Sequence, residues 1–106
     1  MKRSKKARLI AAGWKFGDAA DLLGLKPQEI ALIEIRLALA RELRRRRASM
    51  RLTQVQVAKL LRSSQSRVAK MEVADRSVSV DLLVRSLLAL GATRVELGRL
   101  LALRAA

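Results

Sequence analysis

The side chains best placed to do chemistry lie in "TQVQVAKLLRSSQSRVAKME", from Thr53 to Glu72. On a helical wheel at about 100° per residue, with Val68 facing the core, Ser66 and Lys70 point away from it and Gln65 lies at its border. Amide, hydroxyl and ammonium groups can pair with base edges in the major groove, and a glutamine can contact N6 and N7 of adenine together. Since a solvated helix face can look the same, the pattern favours base recognition without excluding a structural role.

The composition removes the commonest catalytic chemistries. The sequence has no Cys and no His, which excludes thiolate nucleophiles, thiolate–zinc sites and imidazole acid–base catalysis. No cluster of acids replaces them, so we expect no enzymatic activity, no metal and no cofactor. The apolar runs fall short of the roughly 18 residues that a transmembrane helix needs, and the basic start lacks the apolar stretch of a secretory signal. We therefore expect a cytoplasmic, nucleoid-associated protein without membrane contacts.

Charge points to a polyanionic partner. The 106 residues carry a net charge of +14 and a pI near 11.8, far beyond what solubility requires. Residues 41–70 contain ten basic residues against Glu42 alone, or +9 of the total, which is the electrostatic footprint of phosphate binding. Arg44 to Arg47 are consecutive and wrap around about 300° of a helix, so they cannot all face one groove.

The elements that must position these residues all read as helices. Leu, Ala, Arg and Glu dominate, Gly and Pro number five and one, and no stretch alternates at period two. Apolar residues at helical spacing predict a long helix from Pro27 to about Arg47 with a broad apolar face. The same spacing predicts a next helix whose apolar residues are Val57, Leu60 and Leu61, and a following helix whose inward residues are Val68 and Met71. Gly24 and Gly91 suit left-handed residues after helix ends. Capping patterns predict the remaining helix starts: Asp18, Thr53 with Gln56, Ser63 or Ser64, Ser79, and Thr93 with Glu96.

A family resemblance rests on the same stretch. "LTQVQVAKLLRSSQSRVAKME", followed by "SVSVDLLVRSLLALG", resembles the helix-turn-helix domain of Cro and the phage repressors, the XRE family, over about residues 43–90. In that family the second helix of the motif enters the major groove of double-stranded DNA and the first crosses the backbone. The resemblance implies that Gln54 contacts phosphate, that Gln65, Ser66 and Lys70 read bases, and that Arg67 holds the backbone. It also places Ser64 at the DNA.

Two features qualify the resemblance. In the family, an Arg at the position of Arg47 pairs with the Glu that ends the recognition helix, here Glu72, which makes Arg47 structural rather than DNA-binding. Turn positions that usually hold Gly are occupied by Arg51, Arg62 and Ala74. A left-handed conformation costs a non-Gly residue on the order of 1 kcal/mol, so either these turns differ or the domain is less stable than its relatives. Arg51 and Arg62 would add phosphate contacts.

The segment before the motif has a different character. Residues 16–35 carry a net charge of −3, and "GDAADLLGL" followed by "ALIEIRLALARELR" resembles the lead-in of HigA-type antitoxins, which neutralise small basic RelE-like ribonuclease toxins and repress their own operons. The resemblance implies a toxin-docking role for four residues here: Trp14, Phe16, Asp18 and Asp21. Trp14 and Phe16 can equally fasten the preceding chain to the core.

The sequence thus predicts an all-α protein: a five- to six-helix bundle containing a lambda-repressor-like helix-turn-helix domain and an N-terminal helical extension. Residues 1–8 form a basic flexible arm, residues 9–35 the extension and the start of the long helix, and residues 36–106 the DNA-binding domain. The leucine-rich last two helices favour a homodimer. The expected function is a sequence-specific repressor acting as the antitoxin of a type II toxin–antitoxin system. Alternatives are a stand-alone phage or plasmid-type repressor and a charge-driven, nonspecific nucleic-acid-binding protein.

Overall fold

The computed structural model describes residues 23–102, and this part of the chain is entirely helical, without a strand. Its helices are α1 (Pro27–Ser49), α2 (Gln54–Leu60), α3 (Gln65–Glu72), α4 (Val80–Ala89) and α5 (Arg94–Ala102). The predicted all-α class is confirmed. Within residues 23–102 no helix is long and apolar enough to cross a membrane. The predicted arm and the four residues assigned to toxin docking, Trp14, Phe16, Asp18 and Asp21, lie outside the described residues.

Local capping chemistry determines where most of these helices start. Thr53 and Gln56 form the predicted capping box, with reciprocal backbone N–H contacts of 2.8 and 3.1 Å. Of the two candidates before α3, Ser64 is the cap, because its Oγ accepts from the backbone N–H of Arg67 at 3.1 Å. Ser79 caps α4 in the same way, and Thr93 with Glu96 forms the second predicted box at the start of α5.

The core lies where the second half of α1 meets α3, α4 and α5. Its largest fully buried side chains come from all of α1 to α4: Leu39, Leu43, Val57, Val68, Met71, Leu83 and Leu87. Two sequence expectations were wrong. Leu60 does not face the core but is 61% exposed, since α2 is only two turns long and ends there. The broad apolar face of α1 is fully buried only from Leu39 onward, because α1 is more than twice as long as α4 and α5.

Three turns adopt left-handed backbone with residues that are not glycine. The φ angles of Arg51, Arg62 and Ala74 are 57°, 53° and 53°, so the turns keep the geometry that a glycine would favour. Gly24 and Gly91, with φ of 68° and 95°, take the predicted left-handed conformation. The sequence left two alternatives, and the structure shows the strained one, at a cost of about 1–2 kcal/mol for each non-Gly residue.

Candidate nucleic-acid interface

Helix α3 has a polar outer face and an apolar inner face. Val68 and Met71 are completely buried, and they lock the rotation of the helix. Gln65, Ser66 and Lys70 are exposed as predicted, so an amide, a hydroxyl and an ammonium group line one side of an eight-residue helix. These are the groups that hydrogen-bond to base edges in the major groove.

An ion pair between Arg47 and Glu72 holds the C-terminal end of α3 in place. Arg47 Nε and Nη2 donate to the two carboxylate oxygens of Glu72 at 2.5 and 3.0 Å, and Arg47 Nη1 donates to the carbonyl oxygen of Leu52 at 3.0 Å. The side chain of Arg47 is 19% exposed and that of Glu72 4%. The hydrogen bond to Glu72 raises the pKa of Arg47. The pair that the resemblance implied is thus present, and it ties the end of α1 to the end of α3.

Two glutamines continue this ion pair outward as a chain of hydrogen bonds. Gln54 Nε2, at the start of α2, donates to Glu72 Oε1 at 3.2 Å, and Gln65 Nε2 donates to Gln54 Oε1 at 2.7 Å. An ionised carboxylate can only accept, so Glu72 requires the NH₂ end of Gln54 and turns its oxygen toward Gln65. The chain therefore connects a buried charge to an exposed residue of the recognition helix.

This chain sets the direction of the Gln65 amide. Because the NH₂ group of Gln65 faces Gln54, one of its N–H groups is engaged while the second N–H and the carbonyl oxygen remain available. One donor and one acceptor side by side match N7 and N6 of adenine. Sequence reasoning had assigned Gln54 to phosphate and did not identify its bridging position. The feature of the sequence that could have indicated this bridge is that α2 and α3 both begin with a glutamine.

The cationic residues near α3 fall into two groups. Arg51 and Arg62 lie in the strained turns, and Arg67 and Lys70 lie on α3, all four exposed. Exposed cationic side chains of this kind can reach the phosphates of a DNA backbone. Arg46 and Arg47, in contrast, are partly buried against carboxylates, so the four consecutive arginines do divide between surface and interior.

Arg46 belongs to a second ion network that sequence reasoning missed. Its Nη2 lies 3.3 Å from Glu42 on α1 and 2.6 Å from Glu96 on α5, and Arg45 binds Glu42 through two hydrogen bonds of 2.6 and 2.7 Å. The hydrogen bond from Arg45 is the main reason that the pKa of Glu42 is lowered. The backbone N–H of Thr93, and then Arg46, lower the pKa of Glu96. The network fastens α5 to α1.

Two further residues belong to this region: Ser64, which caps α3, and Ala69, which lies within it. The Ser64 hydroxyl accepts one hydrogen bond as the N-cap, so this predicted DNA contact retains its O–H donor and its second lone pair. Ala69 lies on the helix between Gln65 and Lys70 and is partly exposed. The methyl group of an alanine at such a position can contact the methyl group of thymine.

Groups of three or more acids that could hold a metal do not occur among residues 23–102.

Comparison with known proteins agrees with this geometry. A family model described as a helix-turn-helix domain matches residues 38–100, from the buried half of α1 into α5. No curated protein and no solved structure matches the chain. The match supports the helix-turn-helix part of the resemblance and does not extend to its antitoxin part.

Proposed function

This chain belongs to the helix-turn-helix domain family, and from that premise we propose that it is a sequence-specific transcriptional repressor whose α3 reads bases in the major groove. The observation that carries the proposal is the hydrogen-bonded chain from Arg47 through Glu72 and Gln54 to Gln65. A solvated surface has no need of a glutamine whose donor and acceptor directions are set by a buried carboxylate. A base-reading surface does, because each bidentate contact requires fixed geometry.

The proposal assigns each polar residue of α3 a role. Gln65 pairs with adenine, Lys70 meets the acceptors O6 and N7 of guanine, and Ser66 contacts the neighbouring base pair. Arg51, Arg62 and Arg67 neutralise phosphates, which supplies affinity without sequence information.

The protein acts as a homodimer in this proposal. Exposed apolar side chains are found on both of the last two helices, with Leu88 on α4 44% exposed and Val95 on α5 65% exposed. A two-fold pair of recognition helices, roughly 34 Å apart, would read a palindromic operator. Sedimentation of the protein alone and on operator DNA tests this, and a monomer in both would contradict it.

The finer role is that of an antitoxin that represses its own operon. Its support is the resemblance of the segment before α1 to antitoxin lead-ins and the acidity of residues 16–35. Asp18 and Asp21 would face the basic surface of a RelE-like ribonuclease. Co-purification with the product of the adjacent gene tests this role. Tight operator binding without a co-purifying protein would leave a stand-alone repressor.

The DNA-binding role is tested by titrating the protein with the DNA upstream of its gene and with random DNA over a range of salt. We expect Lys70→Ala to weaken operator binding by about 10- to 100-fold, equivalent to about 1–3 kcal/mol, with little effect on random DNA. Arg67→Ala should weaken both DNAs alike and reduce the salt slope by about 1. Arg85→Ala is the matched control, because it also removes one positive charge but from α4, where Arg85 pairs with Asp81.

The competing function is charge-driven binding without sequence preference. It predicts a steep salt dependence and equal affinity for operator and random DNA. That result, together with equal effects of Lys70→Ala on both DNAs, would refute the repressor proposal.

A further inference from the structure

The first half of α1 carries apolar side chains that the helices of the core cover only in part. No residue of α1 before Leu39 is fully buried, although Ile30, Ile33, Ile35 and Leu37 recur there at helical spacing. Apolar side chains at this density on one helix face normally pack against another element.

This surface forms one wall of a groove. Pro27, Ile30, Ala31, Glu34 and Ile35 of α1 line an open groove of about 380 Å³, whose opposite wall is formed by Leu101 and Ala102 of α5. It lies beyond the fully buried part of α1, at the end of the bundle where the chain enters α1, and contains none of the residues proposed to bind DNA. The groove is apolar except for the carboxylate of Glu34.

The chain enters α1 through a reversal. Leu23 is helical, Gly24 takes a left-handed conformation with φ of 68°, and α1 begins at Pro27. Helices joined by two to five residues run antiparallel beside each other. Such a turn allows the chain before Leu23 to lie beside the first half of α1, where the groove is.

The preceding segment supplies side chains that suit the groove. The single Trp and the single Phe of the chain are Trp14 and Phe16, with Lys15 between them. Aromatic side chains bury about 150–250 Å² each when they dock, and the groove is lined mainly by apolar side chains. Twelve residues lie between Trp14 and Pro27, and even at the helical rise the distance between the two positions is about 20 Å.

We infer that residues 9–22 of the same chain dock in the groove between α1 and α5, with Trp14 and Phe16 as the anchors. The docked segment covers Ile30 and Ile35 and completes the bundle on this side. The carboxylates of Asp18 and Asp21 are left for a partner, so the docking is compatible with either form of the repressor proposal and does not depend on DNA binding.

The intrinsic fluorescence of the full-length protein tests this directly, because Trp14 is its single Trp. We expect native protein to emit at shorter wavelength than urea-unfolded protein and to resist quenching by acrylamide, with no change on dilution. Ile30→Lys, which places a charge in the groove, should shift the emission toward that of unfolded protein and increase quenching. Phe16→Ser should act in the same direction.

Leu32→Lys is the matched control, because Leu32 is 49% exposed and does not line the groove. Its emission should equal that of the unsubstituted protein. Far-UV circular dichroism and operator titration verify that each variant keeps its fold and DNA binding. Unfolded-like emission in the native protein, emission that shifts on dilution, which indicates a second copy in the groove, or equal shifts in Ile30→Lys and Leu32→Lys would each overturn the inference.

Discussion

Replacing Arg47 by methionine separates the structural arginine from those at the DNA. Methionine keeps an unbranched stem and good helix propensity, so the substitution removes mainly the guanidinium. That group donates three hydrogen bonds, two to Glu72 and one to the carbonyl of Leu52. Without it, the Glu72 carboxylate keeps one neutral donor, Gln54, at 3.2 Å.

The size of the loss follows from burial. Exposed ion pairs contribute about 0–1 kcal/mol, whereas leaving one partner of a buried pair uncompensated costs about 3–5 kcal/mol. With side-chain exposures of 19% and 4%, the pair belongs near the lower end of the second class, at about 3 kcal/mol. For a domain of this size, that corresponds to a fall in Tm of roughly 12–24 °C.

The assay is thermal and urea unfolding, followed by circular dichroism, of Arg47→Met, Glu72→Gln and the double variant. Because the double variant no longer buries a charge, it should recover more than half of the stability lost in Arg47→Met. It should not recover operator discrimination, since an amide at position 72 can donate or accept and no longer determines which way Gln54 points.

Two results would refute this reasoning. A loss below about 1 kcal/mol in Arg47→Met would show that the pair behaves as an exposed one. A double variant no more stable than Arg47→Met would show that the uncompensated carboxylate is not the cause of the loss.

Three further predictions concern stability. Ala74→Gly should raise the urea midpoint, because relief of about 1–2 kcal/mol of left-handed strain exceeds the entropy cost of glycine of about 0.5–1 kcal/mol; the same change at Ala48, within α1, should lower it. Gly98→Ala in α5 should raise Tm by several degrees, since nothing lies within 4 Å of the added Cβ and alanine favours the helix by about 1 kcal/mol; an unchanged Tm would contradict it. The pKa of Glu42 is below its ordinary value of 4.5, so its stabilisation is complete above that pH and is lost as the pH falls through the lower folded-state pKa. Urea midpoints measured in acid should therefore drop less steeply in Glu42→Gln than in the unsubstituted protein.

Much of the fold could be predicted because the signals are local. A cap and the residue that it contacts lie three positions apart, as in Thr53 with Gln56 and Thr93 with Glu96. Apolar spacing likewise predicted that Val68 and Met71 face inward and that Ser66 and Lys70 face outward. The predictions failed for Leu60 and for the first half of α1, because exposure there depends on where neighbouring helices end.

The sequence by itself determined the helices, their caps, the outward face of α3 and the excess of positive charge around it. The tertiary structure decided what those side chains contact. Gln54 lies 18 positions from Glu72, and Arg46 lies 50 positions from Glu96, so only the packing of α2 against α3 and of α1 against α5 reveals those contacts. The left-handed turns at Arg51, Arg62 and Ala74 have the same origin, because packing holds a geometry that the local residues disfavour.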